Sequence, residues 1–295
     1  MTLLTLEKIN KCIEIVCDGG QKFGFGHIRR SYTLAEALRD CGYDVRYVAA
    51  SEQGQKLLPE FTSSNLQPDI RILDLPYDIN NLLHLNDASS PPVIALDYFG
   101  ELPVSCVISI YEHKTPLNQV NRYTGLKYAL IRQKITDYSP DNYGKGVIVM
   151  IGGSDLNRAG AIVAERIADA GNKVTLIQGP LNNYDYITKS SNITVLRTPE
   201  DIEKRMLSCA WAVTNGGNTM MEMMYLGKAV HIIPQTDAEN NLAQLILRDN
   251  GILGIGKDQL RIPKLNKVID IGKRAGGLID GQGVNRIIRI INKYL

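Results

Sequence analysis

Short runs of apolar, β-branched residues alternate along the chain with stretches that are apolar on one helical face. In the first half, Cys12–Cys17, Asp44–Ala49 and Val93–Leu96 are predicted strands. Between the first two strands, Leu34 and Leu38 recur at helical spacing. This order of strand, loop, helix and strand is typical of βαβ units, which build mostly parallel sheets covered on both faces.

The same pattern begins again in the second half of the chain. The predicted elements there are the strand Gly146–Ile151, a helix over about 157–170, and the strands Lys173–Gln178, Trp211–Thr214 and Ala229–Ile233. A repeat of this kind predicts a second α/β domain rather than an extension of the first sheet. The expected fold class is therefore α/β, with two Rossmann-like, doubly wound domains.

A polar, glycine-rich stretch, Asp141–Gly146, is the predicted linker between the domains. The expected domains are 1–140 and 141–295, with a final helix that can pack back on the N-terminal domain. Ligands of parallel sheets bind outside the carboxyl ends of the strands, so two such domains are expected to face each other across a ligand-binding cleft.

Composition narrows the class of protein. Of 295 residues, 44% are hydrophobic and 22% charged, which is ordinary for a globular protein and unlike a disordered one. The net charge of +2 provides no strong field for nucleic acid or an anionic membrane, so no nucleic-acid partner is expected. Any anion must be bound by local geometry.

Targeting and metal signals are weak in this sequence. Its start lacks the pattern of a signal peptide, and no run of about 18 apolar residues predicts a transmembrane segment. Five scattered cysteines without a C-x-x-C pair suit a reducing cytosol, so a cytoplasmic protein is expected. Neither D-x-D nor H-x-x-x-H occurs, so no metal site is predicted.

The segment Gly24–Arg30 follows the first predicted strand and opens a helix. Glycines let backbone N–H groups approach a ligand, and the first turn of a helix leaves such groups unpaired. The imidazole of His27 can take a proton from water near neutral pH, and Arg30 can hold a phosphate or orient a sugar. The alternative is that His27 only packs at the turn and Arg30 is a solvated charge.

A second glycine loop follows the first strand of the second half. Gly152, Gly153 and Ser154 combine small residues with a hydroxyl, which suits contact with a phosphate. Alternatively, Ser154 or Asp155 caps the following helix, and one loop can serve both purposes.

The most specific motif follows the strand that ends at residue 214. Gly216 and Gly217 allow close approach of a pyrophosphate, which the dipole of a helix starting at Asn218 and Thr219 would stabilise. Glu222, about one turn further, can accept hydrogen bonds from both ribose hydroxyls. The alternative is a capping box, with Thr219 as N-cap and Glu222 at position N3.

A polar segment, Gln235–Gln244, opens another predicted helix after a strand. Its amide and acid side chains, including Asn240 and Asn241, are good partners for sugar hydroxyls. The alternative is an ordinary polar helix start.

Together these segments resemble the GT-B superfamily of glycosyltransferases with two Rossmann-like domains. Within it they most resemble the PseG-type UDP-sugar hydrolases of pseudaminic acid biosynthesis and their SpsG relatives. The matched segments run in the family's order over nearly the whole chain: Gly24–Arg30, Gly125–Arg132, Gly152–Asp155, Asn215–Glu222 and Asp280–Arg286. Val16 stands where that family usually has arginine, and the usual D-x-Y is replaced by Asp97-Tyr98-Phe99.

The resemblance implies metal-independent hydrolysis of a UDP-linked deoxyamino sugar to UDP and free sugar, with no cofactor. This activity would serve nonulosonic acid or surface-polysaccharide biosynthesis. Residues 1–140 would form the catalytic, sugar-binding domain and residues 141–295 the nucleotide-binding domain. His27 matches the family's catalytic histidine, which activates water for attack at the anomeric carbon.

Further residues are expected to bind the UDP-sugar. They are Asp18, Gly24, Gly26, Arg30, Asp97, Tyr98, Gly152, Gly153, Ser154, Asn215, Gly216, Gly217, Asn218, Thr219, Glu222, Asn240 and Asn241. Two other functions stay open. A glycosyltransferase would share the donor site, since water and alcohol acceptors need the same base. A non-catalytic nucleotide-sugar-binding protein would bind UDP without turnover. The sequence leaves the oligomeric state open.

Overall fold

The computed structural model describes most of the chain. The described residues are 9–20, 23–61, 63–77, 90–100, 104–111, 120–140, 144–153, 155, 158–182 and 184–295. The chain divides into two compact units. Unit 1 is Met1–Leu130 with Gln282–Leu295, and unit 2 is Ile131–Gly281. The last fourteen residues of the chain thus group with the first unit, not with the segment that precedes them.

The described residues form twelve strands, nine α-helices and a short 3-10 helix at Leu126–Tyr128. The strands are β1 (Ile9–Cys17), β2 (Tyr43–Ala49), β3 (Ile70–Asp74), β4 (Val93–Leu96), β5 (Cys106–Ser109), β6 (Asn121–Thr124), β7 (Val147–Met150), β8 (Val174–Gln178), β9 (Ile193–Arg197), β10 (Trp211–Thr214), β11 (Ala229–Ile232) and β12 (Gly254–Ile255). The helices are α1 (Gly26–Asp40), α2 (Glu52–Gln55), α3 (Gln133–Thr136), α4 (Ala159–Asp169), α5 (Ile202–Ser208), α6 (Asn218–Tyr225), α7 (Asp237–Arg248), α8 (Leu265–Leu278) and α9 (Gly283–Ile291).

Unit 1 is built on a parallel sheet with the strand order β2-β1-β3-β4-β5-β6. In the register of β1 and β3, Ile13 lies opposite Ile70 and Cys17 opposite Asp74. The strands are continuous apolar runs because both faces of a parallel sheet are covered. This register brings the residue that ends β3 beside the loop that leaves β1.

The core of unit 1 joins elements from both ends of the chain. Leu34 and Leu38 of α1 and Ile287 and Ile291 of α9 lie in one buried cluster with the sheet. A β-carbon on Gly283 would lie 2.0 Å from the carbonyl oxygen of Ala129, so only glycine lets α9 start so close to that backbone.

Unit 2 is built on a second parallel sheet, with the order β12-β11-β10-β7-β8-β9. Trp211, the one tryptophan of the sequence, is buried in its core with Val213 and with Val163 of α4. Helix α8 packs tightly here, because a β-carbon on Gly272 would lie 2.2 Å from the carbonyl oxygen of Gly227.

The predicted α/β class with two parallel, doubly wound sheets is confirmed. Within the described residues, the predicted helix over about 157–170 is found as α4. Residues 141–143 of the predicted linker lie outside the described residues. No helix in the described part of the chain is both long and apolar enough to cross a membrane.

Candidate functional site

The loop from β1 into α1 is held open by glycine. Two backbone hydrogen bonds join Gly20 and Gly24, with N–O distances of 3.0 and 2.7 Å. Gly24 has a φ of +75°, in the left-handed region that glycine adopts without a steric cost. A β-carbon on Gly24 or Gly26 would meet no described atom within 4 Å, so the described protein leaves space beside both residues.

His27 is the second residue of α1, and 26% of its side chain is exposed. Its Nδ1 lies 2.7 Å from Oδ1 of Asp74, a fully buried carboxylate at the end of β3. Burial by itself raises the pKa of Asp74, but the charges and hydrogen bonds of Arg30 and His27 together lower it by more, so this pKa lies well below its ordinary value. Because Asp74 is an anion, Nδ1 of the neutral His27 imidazole carries the hydrogen and donates a hydrogen bond to the carboxylate. Nε2 is then left as a hydrogen-bond acceptor.

Arg30 uses every nitrogen of its guanidinium within unit 1. Its Nε donates to Asp74 Oδ2 at 2.8 Å, Nη2 donates to Asp74 Oδ1, and Nη1 donates to Asp97 Oδ2. Nη2 also lies 3.2 Å from Nδ1 of His27, because both nitrogens donate to the same oxygen of Asp74. Burial lowers the pKa of Arg30, and the two carboxylates raise it by more, so its charge is permanent.

Asp97 follows β4 and is fixed by its neighbours. Its Oδ1 accepts hydrogen bonds from Oγ of Ser109 at 2.7 Å and from the backbone N–H of Ile110 at 3.0 Å. Its φ is +49°, in the left-handed region, which aspartate tolerates better than most residues. The next residue, Tyr98, is buried in an apolar cluster that also contains Leu73 and Val107.

Asp18 directly follows β1 and accepts hydrogen bonds from the loops around it. Its Oδ1 accepts from the backbone N–H of Gly19 at 2.8 Å and from Ser51 Oγ at 2.7 Å, while its Oδ2 accepts from Tyr77 OH at 2.7 Å. A β-carbon on Gly54 would lie 2.0 Å from Oδ1 of Asp18, so glycine is required for this approach. Asp18 is thus buried, and its carboxylate joins the loops that carry Gly19, Ser51 and Tyr77.

Two aromatic pairs also lie on loops at this carboxyl edge. Phe23 and Tyr77 have ring centroids 5.5 Å apart, and Phe99 and Tyr111 have centroids 5.7 Å apart. Phe99 is 56% exposed, the largest exposure of an aromatic ring among the exposed apolar residues described. The four rings follow β1, β3, β4 and β5, the strands whose ends carry the polar cluster.

Unit 2 brings three predicted loops together at the carboxyl edge of its sheet. Nδ2 of Asn215, after β10, donates to Oε1 of Glu239 on α7 at 2.6 Å, and the backbone N–H of Gln235 donates to Oε2 at 2.7 Å. A β-carbon on Gly216 would lie 2.7 Å from Cβ of Glu239, which explains the need for glycine there. Gly152, after β7, has a φ of +59° and faces the same asparagine.

The loop after β7 has a capping role. Oδ1 of Asp155 accepts from the backbone N–H of Ala159 at 2.8 Å, and Oδ2 accepts from that of Gly160 at 2.7 Å. The carboxylate thus accepts from the first turn of α4, as a capping group does, although the N-cap residue of that helix is Arg158 and not Asp155. The carbonyl of Gly153 accepts from the N–H of Leu181 at 3.0 Å. Ser154 lies outside the described residues.

Helix α6 begins differently from α4 and α7. Gly217 is its N-cap and has no side chain to make a capping hydrogen bond, and Asn218 and Thr219 are its first two residues. The capping-box alternative for Thr219 and Glu222 is therefore wrong, because the helix starts before Thr219. By contrast, Oγ1 of Thr236 caps α7. The first turn of a helix presents backbone N–H groups that can bind an anion.

Glu222 is buried within an ion cluster of unit 2. Its Oε1 and Oε2 accept from Nε and Nη2 of Arg132, at 2.6 and 2.8 Å. Nη1 of Arg132 donates to Oε1 of Glu203 at 2.6 Å. A ribose at Glu222 would therefore have to share both carboxylate oxygens with Arg132.

The remaining predicted sugar partners lie in the second turn of α7. Asn240 is half-buried and Asn241 is exposed. The backbone N–H of Asn240 donates to the carbonyl of Thr236 at 3.0 Å, the regular hydrogen bond of a helix start.

Three central residues of these clusters were absent from the sequence-based site. Asp74 is an acid that closes the apolar run of β3, and such a residue at the carboxyl end of a parallel strand is itself a signal. Arg132 lies in a matched segment, but its partners Glu203 and Glu222 are 71 and 90 positions away. Glu239 lay inside the polar segment Gln235–Gln244 without being singled out.

No protein-family model matches the chain. A curated relative, the uncharacterized protein MJ1062 of Methanocaldococcus jannaschii, is 20% identical over 77% of this chain and 56% of its own length. The chain thus spans little more than half the length of the curated relative it matches.

Solved structures resemble the chain over nearly its whole length. Acinetobacter baumannii MurG superposes with a TM-score of 0.65 at 12% identity, covering 96% of this chain and 99% of that one. S. aureus MnaA, solved with UDP, gives a TM-score of 0.61 at 11% identity, covering 97% of each chain. With its two six-stranded parallel sheets, the chain has the two-domain α/β fold of the GT-B type. It is a protein with a glycosyltransferase-like fold.

Proposed function

We propose that the protein hydrolyses a UDP-linked deoxyamino sugar to UDP and the free sugar, with His27 as the general base. The observation that carries this proposal is the contact between His27 Nδ1 and the buried Asp74 carboxylate. This contact fixes the tautomer with Nε2 as an acceptor, on a side chain that is still partly exposed. The carboxylate of Asp74 also stabilises the positive charge that His27 gains when it takes a proton from water.

The proposed reaction follows from this geometry. Nε2 of His27 takes a proton from water as the water oxygen forms a bond to the anomeric carbon. The bond from that carbon to the diphosphate oxygen breaks, and UDP leaves with the electron pair. The imidazolium then releases its proton to solvent. Asp74 stays ionised and stabilises the imidazolium.

In this proposal unit 2 supplies the groups that hold the nucleotide. Support comes from Gly216 and Gly217, from the start of α6, and from the fold shared with MnaA, which was solved with UDP. A diphosphate at the start of α6 would be bound by backbone N–H groups and the helix dipole.

A glycosyltransferase is the second candidate function. It is favoured by the aromatic pairs Phe23–Tyr77 and Phe99–Tyr111, in which all rings but that of Tyr111 are exposed and which lie at the carboxyl edge that carries His27. Aromatic faces bind apolar or ring-shaped acceptors, and water needs no such surface. In that case Nε2 of His27 would take the proton of an acceptor hydroxyl instead.

The test incubates the purified protein with a panel of UDP-sugars and measures free UDP. For the hydrolase, we expect UDP without an added acceptor and in the presence of a chelator. His27→Ala is expected to lower the rate by about 10²–10⁴-fold while UDP binding, measured by calorimetry, is kept. The matched control is Asp40→Asn, an exposed change at the far end of α1, which is expected to keep the wild-type rate.

Other outcomes separate the alternatives. UDP release that requires an added acceptor would replace hydrolysis by transfer. Tight UDP binding without turnover would identify a binding protein. A fully active His27→Ala variant would contradict the assignment of the base in either enzyme.

A further inference from the structure

Two carboxylates in unit 1 share one guanidinium. Arg30 donates to Asp74 at the end of β3 and to Asp97 after β4, and only 12% of its side chain is exposed. The side chains of Asp74 and Asp97 are 0% and 9% exposed. These charges interact strongly because little water screens them.

The charges of this cluster do not cancel while His27 is neutral. One guanidinium and two carboxylates sum to −1, and a proton on His27 brings the sum to zero. An imidazolium at His27 therefore leaves the cluster without net charge. Asp97 supplies the second negative charge, although it makes no described contact with His27.

The hydrogen bonds of Arg30 and Asp97 leave these groups little capacity for a ligand. All three nitrogens of the Arg30 guanidinium donate to carboxylates of unit 1. Asp97 accepts from Ser109 and Ile110 on Oδ1 and from Arg30 on Oδ2. The left-handed backbone conformation of Asp97 costs free energy, and the hydrogen bonds of its side chain offset that cost.

We propose that Asp97 is a positioning residue that acts through Arg30 to fix the imidazole of His27 and to balance the charge of an imidazolium there. In this role Asp97 and Arg30 serve the base and do not bind the sugar or the phosphate. The role rests on the proposed function insofar as His27 is the base, but its electrostatic part can be measured without any substrate.

Other charged groups near the cluster have identified roles. Tyr111, a titratable phenol after β5, lies near Arg30 and raises the pKa of its guanidinium. Asp18, after β1, is held by Gly19, Ser51 and Tyr77. Among the charged side chains described, Asp74 and Arg30 contact His27 directly, and Asp97 acts through Arg30.

The experiment is an NMR titration of the imidazole C–H signals in the ligand-free protein. The chain has four histidines, and the His27 signal is identified by its loss in His27→Ala. In Asp97→Asn, which keeps the shape of the side chain, we expect the His27 titration midpoint to fall by about one pH unit. In Arg30→Gln, removal of the cation is expected to raise the midpoint, so the two variants move in opposite directions.

Ser109→Ala is the matched control, because it removes a hydrogen bond to Asp97 but leaves the negative charge of Asp97 in place. We expect its midpoint to stay at the wild-type value. For turnover, Asp97→Asn is expected to move the acid limb of the kcat profile to lower pH with the titration. It is also expected to lower kcat at the plateau by less than about ten-fold, with KM within about two-fold. Circular dichroism checks that each variant is folded.

The outcomes distinguish this inference from the proposed function. An unchanged midpoint in folded Asp97→Asn, or a midpoint that falls in Arg30→Gln, would overturn it. A raised KM with an unshifted pH profile would make Asp97 a substrate ligand and also overturn it. Shifted midpoints without turnover of any UDP-sugar would uphold the electrostatic role of Asp97 and refute the hydrolase.

Discussion

At the scale of single residues, the buried carboxylate of Asp74 is the common acceptor of the polar cluster in unit 1. It accepts hydrogen bonds from His27, from two nitrogens of Arg30 and from Ser31 Oγ, the last at 2.7 Å. An isolated carboxylate at a fully buried position would cost many kcal/mol, and these donors offset that cost. The same contacts that orient His27 therefore keep Asp74 ionised.

The lowered pKa of Asp74 predicts a loss of stability in acid. The carboxylate of an unfolded chain has a pKa near 4, above that of the folded state, so its contribution to folding is complete above about pH 4 and lost as pH falls toward the folded value. We expect Asp74→Asn to be less stable than wild type at pH 7, and the difference to narrow by pH 3. Urea unfolding at both pH values measures it.

Asp185→Asn is the control for this titration. Its carboxylate is 80% exposed and pairs with Arg197 at the surface. Such pairs contribute little, so its stability is expected to follow wild type at both pH values. If the loss of unfolding free energy in Asp74→Asn stayed the same between pH 7 and pH 3, the assignment of Asp74 as an ionised carboxylate would be wrong.

At the scale of elements, Arg132 joins the segment that opens unit 2 to two helices. It pairs with Glu222 on α6 and Glu203 on α5, and both carboxylates are buried. Burial lowers the pKa of Arg132, and the two carboxylates raise it by more. This pairing fixes α6, whose first turn is the proposed site for the diphosphate.

Removal of Arg132 is expected to be costly. Arg132→Met leaves two buried carboxylates without their partner, so we expect a loss of about 3–5 kcal/mol in the free energy of unfolding. Adding Glu222→Gln should recover part of this loss, because it removes one of the unpaired charges. A double-mutant cycle from urea unfolding measures the coupling.

The matched control is Arg205→Met, which breaks the exposed pair of Arg205 with Asp201 on the neighbouring turn. Its expected cost is about 0.5 kcal/mol or less. Equal losses in Arg132→Met and Arg205→Met would mean that the buried cluster does not hold α6 in place.

At the scale of the whole molecule, the chain returns to its first unit at the end. Helix α9 adds Ile287 and Ile291 to the core of unit 1, after the complete sheet of unit 2 has intervened. Unit 1 therefore depends on residues from both ends of the sequence.

Truncation of one α9 side chain is expected to weaken unit 1. Ile291→Ala removes a fully buried side chain, which costs about 2–5 kcal/mol. Trp211 is the single tryptophan and lies in the core of unit 2, so its fluorescence reports on that unit. We expect the thermal transition seen by far-ultraviolet circular dichroism to shift more than the transition seen by Trp211.

The reciprocal control is Val268→Ala, a buried change in the core of unit 2. It is expected to shift the Trp211 transition directly. If Ile291→Ala moved the Trp211 signal as far as Val268→Ala did, the assignment of α9 to unit 1 alone would fail.

The sequence by itself determined the alternation of strands and helices and the α/β class, because both depend on local periodicity. It also marked the glycine loops around Gly24 and Gly216, since positive φ angles and close backbone contacts demand glycine locally. His27 was recognisable as a candidate base from its position after a strand. These features need no knowledge of which strands are neighbours.

Only the tertiary structure decided the partners. Asp74 reaches His27 because β1 pairs with β3, and a parallel sheet aligns the ends of strands that are distant in sequence. Arg132 meets Glu222 for the same kind of reason, across 90 positions of chain. Charge pairing acts through space at a few ångströms, so a sequence pattern shows which groups exist but not which of them meet.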